Sequence, residues 1–410
     1  MNRYLIIADD FTGANDTGVQ LKRRGIATDV VFSADLIGNS GTSYVLDTES
    51  RGMSGEEAYS TVRKIIKDID FSGFKYVIKK VDSTLRGNIA EEIKAVDEAF
   101  KSDLVVFSPA LPDLGRTTVE GVHCLNGIPI TKTELAKDPI KPVTQDNIKK
   151  ILEKVYDEKI THVSIKDLQE DNFNFSAGRI FTFDASSNAH MQIIIKNCLG
   201  TGKRILWVGT AAMADNLFEI EYRTPPSLAV VGSVSSVTRS QVKFAENSGI
   251  KILKVPVSDI IEGKNINNTV DEAVEILSHG NDLIIISPSS YSLEEYELIN
   301  TSGAGKSMTT NEISIFVQDL LGKISKEVLE KIRVSGVFLT GGDTAIGLFK
   351  KLGALGSSIS GEVTTGIPLM RLRGGSFDGL KVITKAGAFG KEDILVYSMR
   401  KLKEVTDGQN

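Results

Sequence analysis

The chain has 410 residues, 41% of them hydrophobic and 25% charged, which is typical of a soluble globular protein with enough apolar material for more than one core. Its 48 basic and 53 acidic residues give a net charge of −5, which argues against a protein that binds nucleic acid or an anionic membrane surface. No apolar run is long enough to span a membrane, no signal-peptide pattern is present, and Cys124 and Cys198 form neither a disulfide framework nor a metal motif, so we expect a cytoplasmic protein.

The first half of the chain alternates short apolar runs with amphipathic segments. Strands are predicted at 4–8, 28–32, 43–47, 76–82, 104–110, 162–165, 180–185 and 204–209. Helices are predicted at 17–25, 55–69, 89–101, 145–156 and 188–199. This alternation predicts an α/β fold with a mostly parallel sheet flanked by helices.

A second domain is predicted to begin after two adjacent prolines. Pro225 and Pro226 disfavour both a helix and a central strand, so we place the boundary there. The alternation then restarts at "LAVVGS" and continues to "LKVITKAGAFG". We expect two α/β domains, 1–225 and 226–410, with a ligand cleft between them. Open parallel sheets bind ligands at the carboxyl ends of their strands, so motifs at those ends are the ones to examine.

In the first domain, four polar clusters follow predicted strands: "IADDFTGANDTG", "DTESR", "KKVDSTLRGN" and "SPALPDLGRTTVEGVH". The first of these predicts a turn over residues 12–16. Any single cluster is explained equally well by helix capping. Together they suit a small, hydroxylated, anionic ligand, because Arg and Lys bind carboxylates and Asp accepts hydrogen bonds from hydroxyls. One aspartate could also take a proton from a hydroxyl nucleophile.

In the second domain, three strand-to-helix turns are rich in small residues: "VGSVSSVTRSQV", "FLTGGDTAIGLFKKLG" and "TKAGAFGKEDIL". Such turns expose backbone N–H groups to phosphate oxygens, which favours nucleotide binding. The alternative is that the glycines only permit tight turns. The P-loop-like "NTSGAGKS" (300–307) lacks the first glycine of that motif and is interpreted as a loop. A dinucleotide fingerprint is absent, and the four histidines lack metal-ligand spacing; for His123, beside a polar cluster, core and functional roles both stay open.

These motifs resemble, in content and order, those of the four-carbon acid sugar kinase family. The segments "ADDFTGANDTG", "KKVDSTLRGN", "SPALPDLGRTTVEGVH", "GSVSSVTRSQ", "LTGGDTA" and "KAGAFG" carry the resemblance, which extends from Ile7 to about Leu395. It implies an ATP-dependent kinase that phosphorylates the terminal hydroxyl of a sugar acid. It also implies that the N-terminal domain binds the acid and the C-terminal domain the nucleotide.

The resemblance also implies the site residues. Those that would bind the sugar acid are Asp9, Arg51, Lys80, Val81, Asp82 and Ser83. Those that would bind the nucleotide are Ser233, Ser235, Gly341, Gly342, Asp343, Thr344 and Gly387. We hypothesise that Arg51 and Lys80 hold the carboxylate, that either Asp10 or Asp82 is the catalytic base, and that ATP binds as its Mg²⁺ complex. No Mg²⁺ ligand is assigned.

The expected substrate is D-threonate, with D-erythronate and 3-oxo-tetronate as alternatives. A non-catalytic sugar-acid sensor and a sugar-acid aldolase or dehydratase are the rival classes, and the glycine turns argue against both. Two positions depart from the family pattern: Asp138 stands where a histidine is frequent, and Val234 where a cysteine is frequent. Both bear on specificity, and a homo-oligomer stays open.

Overall fold

The protein, described here from a computed structural model, divides into two compact units, Met1–Arg223 and Thr224–Asn410. The structure describes residues 3–38, 41–139, 141–222, 224–292, 294 and 308–405. The predicted loop at 300–307 lies outside these residues. In the described ranges, no helix is both long and apolar enough to cross a membrane.

The first unit is built on an eight-stranded sheet whose neighbouring strands all pair in parallel. In chain order its strands are β1 (Tyr4–Ala8), β2 (Thr28–Val31), β3 (Ser43–Asp47), β4 (Tyr76–Lys80), β5 (Leu104–Ser108), β9 (Ile160–Val163), β10 (Ile180–Phe183) and β11 (Ile205–Gly209). Across the sheet the order is β2-β3-β1-β4-β11-β5-β10-β9. The missing numbers belong to a small antiparallel sheet of β6 (Arg116–Val119), β7 (Val122–Leu125) and β8 (Ile128–Pro129).

Helices cover both faces of this sheet. They are α1 (Phe11–Lys22), α2 (Gly55–Ile66), α3 (Ile89–Phe100), α4 (Ile148–Leu152), α5 (Ile165–Gln169), α6 (Asn188–Leu199) and α7 (Ala211–Tyr222). Because side chains alternate along a strand, Leu5 and Ile7 face a core shared with α2 and α3. Tyr4 and Ile6 face the opposite core, shared with α1, α6 and α7.

The second unit is built on a seven-stranded sheet. Its strands are β12 (Leu228–Val231), β13 (Lys251–Lys254), β14 (Leu283–Ile286), β15 (Val337–Thr340), β16 (Gly356–Thr364), β17 (Ile367–Arg373) and β18 (Lys381–Lys385). The order is β13-β14-β12-β15-β18-β17-β16. The five strands β13, β14, β12, β15 and β18 are parallel to one another, whereas β17 pairs antiparallel with β18 and with β16.

The helices of the second unit also lie on both faces of their sheet. They are α8 (Ser236–Asn247), α9 (Val257–Ile261), α10 (Asn267–Ser278), α11 (Pro288–Tyr291), α12 (Thr310–Lys331), α13 (Gly342–Lys351) and α14 (Ile394–Lys403). Helices α8 and α14 share one core with Ala229 and Val231. Helices α10, α12 and α13 share the other core with Leu228 and Val230.

The predicted fold class, two α/β domains with mostly parallel sheets flanked by helices, is confirmed. One local prediction is wrong. Residues 12–16 do not form a turn, because α1 begins at Phe11. Asp10 caps the helix by accepting a hydrogen bond from the Gly13 N–H at 3.0 Å, which stabilises a first turn that Gly13 and Asn15 would otherwise disfavour.

Candidate functional site

The predicted sugar-acid residues lie at one edge of the first sheet, where three adjacent parallel strands end. Asp9 and Asp10 follow β1, Arg51 follows β3, and Lys80 ends β4. Helix α1 leaves β1 toward one face of the sheet, whereas α3, which follows the loop after β4, packs on the other face. Successive loops that diverge in this way leave a crevice between the ends of β1 and β4, and such crevices are where open α/β sheets bind ligands.

Arg51 is held by the paired aspartates. Its Nε donates to Asp9 Oδ2 at 2.7 Å and its Nη2 donates to Asp9 Oδ1 at 3.1 Å. Nη1 donates to Asp10 Oδ2 at 2.7 Å and Nη2 to Asp10 Oδ1 at 2.6 Å. Burial disfavours the guanidinium charge, but the hydrogen bonds and charges of Asp9, Asp82 and Asp10 outweigh it and raise the pKa of Arg51. Four of the five guanidinium N–H positions are therefore in use.

Lys80 lies beside the first turn of α1. Its side chain is buried, and its Nζ donates to the carbonyl oxygen of Val81 at 3.0 Å. A Cβ on Gly13 would lie 2.9 Å from Lys80 Nζ and 2.6 Å from Asp10 Oδ1, so only glycine permits this approach. Burial lowers the pKa of Lys80, although Asp9 and Asp82 act to raise it. The ammonium group thus has donors left for an anionic ligand at the crevice.

Asp82 organises the loop that follows β4. Its Oδ2 accepts hydrogen bonds from Thr84 Oγ1, from the Thr84 N–H at 3.2 Å and from Arg86 Nε at 3.0 Å. Burial acts to raise its pKa, but the hydrogen bonds from Arg86 and Thr84 and the Arg51 charge prevail, so the pKa of Asp82 lies below its ordinary value. A carboxylate stabilised in this way is a weak proton acceptor.

His123 forms a hydrogen bond to the backbone of the same loop. Its Nε2 donates to the carbonyl oxygen of Ser83 at 2.9 Å, and its Nδ1 therefore accepts from Thr118 Oγ1 at 2.9 Å, since a carbonyl oxygen cannot donate. The ring is completely buried, and burial lowers the pKa of His123. These two hydrogen bonds indicate that His123 is neutral and that it positions the loop that contains Ser83. At the outer end of that loop, Arg86 forms an ion pair with Asp138, the position where the family pattern often has a histidine.

A buried ion pair beneath the site was not predicted from the sequence. Lys79 Nζ lies 2.7 Å from Glu92 Oε2, and both side chains are almost completely buried. The other Glu92 oxygen accepts from Ser50 Oγ at 2.9 Å, and Ser50 is the neighbour of Arg51. Burial raises the pKa of Glu92, against the opposing charge of Lys79. The sequence feature that could have indicated this pair is the adjacent "KK" at the end of β4. Because side chains alternate in a strand, Lys79 and Lys80 point to opposite faces of the sheet, so only one of them can face the crevice.

Asp47, the last residue of β3, is a second buried acid near this cluster. Its Oδ1 accepts from the Glu49 N–H at 3.1 Å, whereas its Oδ2 is buried and has no hydrogen-bond partner among the described residues. Burial, with added repulsion from Glu49 and Asp10, raises the pKa of Asp47 to about 6.

The predicted nucleotide residues lie at an edge of the second sheet. Strand β15 lies between β12 and β18, so the turns that begin at Gly232, Gly341 and Ala386 are neighbours. Helix α8 leaves β12 toward one face and α13 leaves β15 toward the other, which repeats the crevice of the first unit. The two units also share a strand order. Across the sheet, the first four strands of each unit lie in the order second, third, first and fourth along the chain, which is β2-β3-β1-β4 in the first unit and β13-β14-β12-β15 in the second.

The three turns approach one another at glycines. A Cβ on Gly232 would lie 2.2 Å from Thr344 Oγ1, and a Cβ on Gly387 would lie 2.3 Å from Ser233 Oγ. Gly341 has φ of 99°, a conformation that other residues rarely adopt. Side chains at these positions would push the turns apart, so the glycines serve the close packing of the turns as well as any ligand.

Ser235 and Gly387 join two of the turns. Ser235 Oγ caps α8 through the Thr238 N–H at 3.1 Å and donates to the Gly387 carbonyl at 2.7 Å. By contrast, Gly342 and Asp343 are exposed at the start of α13, where backbone N–H groups are open to a ligand. The structure thus brings the predicted residues of each domain together within that domain.

Comparison with known proteins decides the family. One family model, a sugar-binding N-terminal domain, matches residues 4–217, and a second, a nucleotide-binding C-terminal domain, matches residues 228–395. The chain is 32% identical to D-threonate kinase of Salmonella typhimurium, over 99% of this chain and 100% of that one. This chain belongs to the four-carbon acid sugar kinase family. The resemblance drawn from the motifs, and with it the prediction of a sugar-acid kinase, is confirmed.

Other known proteins are also similar over nearly the whole chain. A D-erythronate kinase of Heliobacterium modesticaldum is 29% identical over 96% of this chain and 95% of that one. A crystal structure from Bordetella bronchiseptica, described as a domain-swapped dimer with bound citrate, has a TM-score of 0.64 and 28% identity, and the alignment covers 98% of both chains.

Proposed function

We propose that this family member transfers the γ-phosphate of ATP to the terminal hydroxyl of D-threonate. The similarity to two D-threonate kinases, 32% and 29% identical over almost their full lengths, carries this choice of substrate. D-Erythronate is the second candidate, since a D-erythronate kinase is also 29% identical, whereas the 3-oxo-tetronate kinases of Brucella melitensis and Actinobacillus succinogenes are 24% identical.

The acid binds at the crevice of the first unit, at Asp9, Arg51 and the segment Lys80–Ser83. Lys80 supplies the positive charge for the carboxylate, because its Nζ has one hydrogen bond to protein and forms no ion pair within the described ranges. Arg51 is already bonded to two aspartates, so we assign it mainly to holding Asp9 and Asp10 in place. Of the two residues that the sequence assigned to the substrate carboxylate, we therefore propose Lys80 as the main one.

Asp10 is the proposed base. The hydroxyl oxygen attacks the γ-phosphorus, its proton passes to Asp10, and the bond to the bridging oxygen of ADP breaks. Asp10 suits this role better than Asp82 or Asp9 because its side chain is 23% exposed, against 10% for Asp82 and 3% for Asp9, so a substrate hydroxyl can reach it.

The nucleotide binds at the glycine turns of the second unit, at Ser233, Ser235, Gly341–Thr344 and Gly387. Kinases usually hold Mg²⁺ with phosphate oxygens, waters and one or two carboxylates, so no all-protein cage is required. The described residues contain no cluster of three metal-binding side chains. Asp343, exposed in the first turn of α13, is the carboxylate that would hold Mg²⁺, which would neutralise charge on the phosphates.

The domain-swapped dimer of the Bordetella relative supports a homo-oligomer for this chain, which light scattering after gel filtration would test. The cytoplasmic location stays a prediction from the sequence.

ADP release measured with ATP, Mg²⁺ and a panel of acids tests the proposal. The panel contains D- and L-threonate, D- and L-erythronate and the oxo-tetronates. We expect the highest kcat/KM with D-threonate and no ADP release above background without an acid. A higher kcat/KM with another acid would overturn the choice of substrate, and no turnover with any acid would overturn the kinase itself.

A further inference from the structure

Lys385, the last residue of β18, is a buried lysine without a counter-charge in the part of the chain that the structure describes. The residue is 2% exposed, and its Nζ donates to the carbonyl oxygens of Ala386 at 3.0 Å and Gly387 at 2.9 Å. Among the described residues no carboxylate forms an ion pair with it, and burial alone lowers the pKa of Lys385 to about 8. Lys385 is the first residue of the "KAGAFG" motif, but it is not among the nucleotide-binding residues predicted from the sequence.

The bonding of Lys385 differs from that of a structural buried lysine elsewhere in the same chain. Lys79 is also completely buried, but Glu92 lies 2.7 Å from its Nζ and neutralises its charge. A buried ammonium group without such a partner is costly, and two carbonyl dipoles offset only part of that cost. Lys385 therefore has a charge that an anionic ligand would stabilise.

The position of Lys385 identifies the kind of anion. It ends the strand beside β15, and its backbone carbonyl accepts from the Gly341 N–H at 3.0 Å, so the residue lies between the turn at Gly341 and the turn at Ala386–Gly387. The Gly387 carbonyl that accepts from Lys385 also accepts from Ser235, in the turn after β12, and from Thr238 at the start of α8. Lys385 is thus bonded to the turns at Gly341 and Ala386–Gly387 and shares the Gly387 carbonyl with the turn of Ser235, and the backbone N–H groups of such turns suit phosphate oxygens.

We propose that Lys385 binds a phosphate group of the nucleotide, an inference that rests on the ATP-dependent function proposed above. Its Nζ keeps at least one N–H for a phosphate oxygen and supplies a buried positive charge beside the backbone N–H groups of the glycine turns. The alternative is a purely structural lysine that ties the turn of Ala386 and Gly387.

Proton uptake distinguishes the two roles. With a pKa of about 8, Lys385 is mostly neutral at pH 8.5, and a bound phosphate would restore its proton, so ATP binding should take up roughly 0.7 proton per site. Isothermal titration calorimetry of ATP at pH 8.5, in buffers with different ionisation enthalpies, measures this number. A structural lysine would give no proton uptake linked to the phosphates.

Lys385→Met and Lys381→Met form a matched pair for the same titration. Lys381 begins β18, at the other end of the strand, and its pKa is also lowered to about 8, chiefly by burial and then by Arg371. We expect Lys385→Met to weaken ATP binding about 10- to 100-fold, the loss of one charge-assisted hydrogen bond, and to abolish the proton uptake. Adenosine affinity should not change, and Lys381→Met should bind ATP as the wild type does.

The outcomes separate the two proposals. If the wild type binds no ATP, both the proposed function and this inference are wrong. If it binds ATP but takes up no proton, or if Lys385→Met binds ATP and adenosine as the wild type does, only the assignment of Lys385 is wrong. Should Lys385→Met fail to fold, the proton uptake of the wild-type protein decides the question without a variant.

Discussion

Both carboxylate oxygens of Asp10 accept hydrogen bonds from the Arg51 guanidinium, at 2.7 Å from Nη1 and 2.6 Å from Nη2. Asp10 also caps α1 through the Gly13 N–H, so it connects the end of β1, the loop after β3 and the helix. Adjacent aspartates at the end of the first strand are explained by this geometry: Asp9 and Asp10 bind one arginine from both sides, and the more exposed Asp10 faces the crevice.

Replacing Asp10 with asparagine should lower kcat by about 10²- to 10⁴-fold, because the amide cannot take the hydroxyl proton. Asparagine is as good a helix cap as aspartate but loses the charge that pairs with Arg51, so the melting temperature should fall modestly. Asp82→Asn is the matched control: it should lower stability through the loop of Thr84 and Arg86 and lower kcat far less. A larger kcat loss in Asp82→Asn than in Asp10→Asn would reverse the assignment of the base.

Replacing Gly13 with alanine should raise the KM for the sugar acid and give no gain in stability. A helical Gly→Ala change normally stabilises by about 1 kcal/mol, but here the new Cβ would lie 2.6 Å from Asp10 Oδ1 and 2.9 Å from Lys80 Nζ and displace both side chains, so kcat should fall as well. Gly347 in α13 is the matched control, because a Cβ there meets nothing within 4 Å. Gly347→Ala should raise the melting temperature. If Gly13→Ala raises it equally and leaves KM unchanged, the close approach of Lys80 has no functional importance.

Asp47→Asn should change how stability depends on pH. Burial raises the pKa of Asp47 from 3.8 to about 6, so its contribution to folding is fully present below about pH 4 and is lost as pH rises through 6. On going from pH 4.5 to pH 8, the variant should therefore gain about 2 kcal/mol relative to the wild type. Urea unfolding at both pH values measures this, with Glu49→Gln as a control that should reduce the pH dependence. A pH-independent difference would contradict the raised pKa.

Lys79→Met should lower the free energy of unfolding by about 3–5 kcal/mol at neutral pH, because it leaves Glu92 buried without its partner. The loss should be smaller at pH 5, since the raised pKa of Glu92 lets it become neutral. The double variant Lys79→Met with Glu92→Met should recover most of the stability. A double variant that is as unstable as the sum of its single variants would show that the two side chains are not coupled.

Much of the local structure followed from the sequence. The predicted strands 4–8 and 43–47 and the predicted helix 188–199 match the structure at both ends, because buried parallel strands and amphipathic helices have distinct apolar patterns. The start of α1 was missed because Gly13 and Asn15 are turn formers whose effect Asp10 overcomes as a cap. The small sheet β6–β8 was also missed, because its short strands lack an apolar pattern.

By itself the sequence determined the fold class, the family and the segments that carry polar and glycine-rich motifs, because these depend on local order along the chain. Only the tertiary structure decided that Arg51 lies between Asp9 and Asp10, that Lys79 pairs with Glu92, and that Lys385 has no counter-charge among the described residues. These relationships depend on strand order, in which β1 lies between β3 and β4, and β15 between β12 and β18. Strand order arises from pairing between segments far apart in the chain, and no local pattern of residues specifies it.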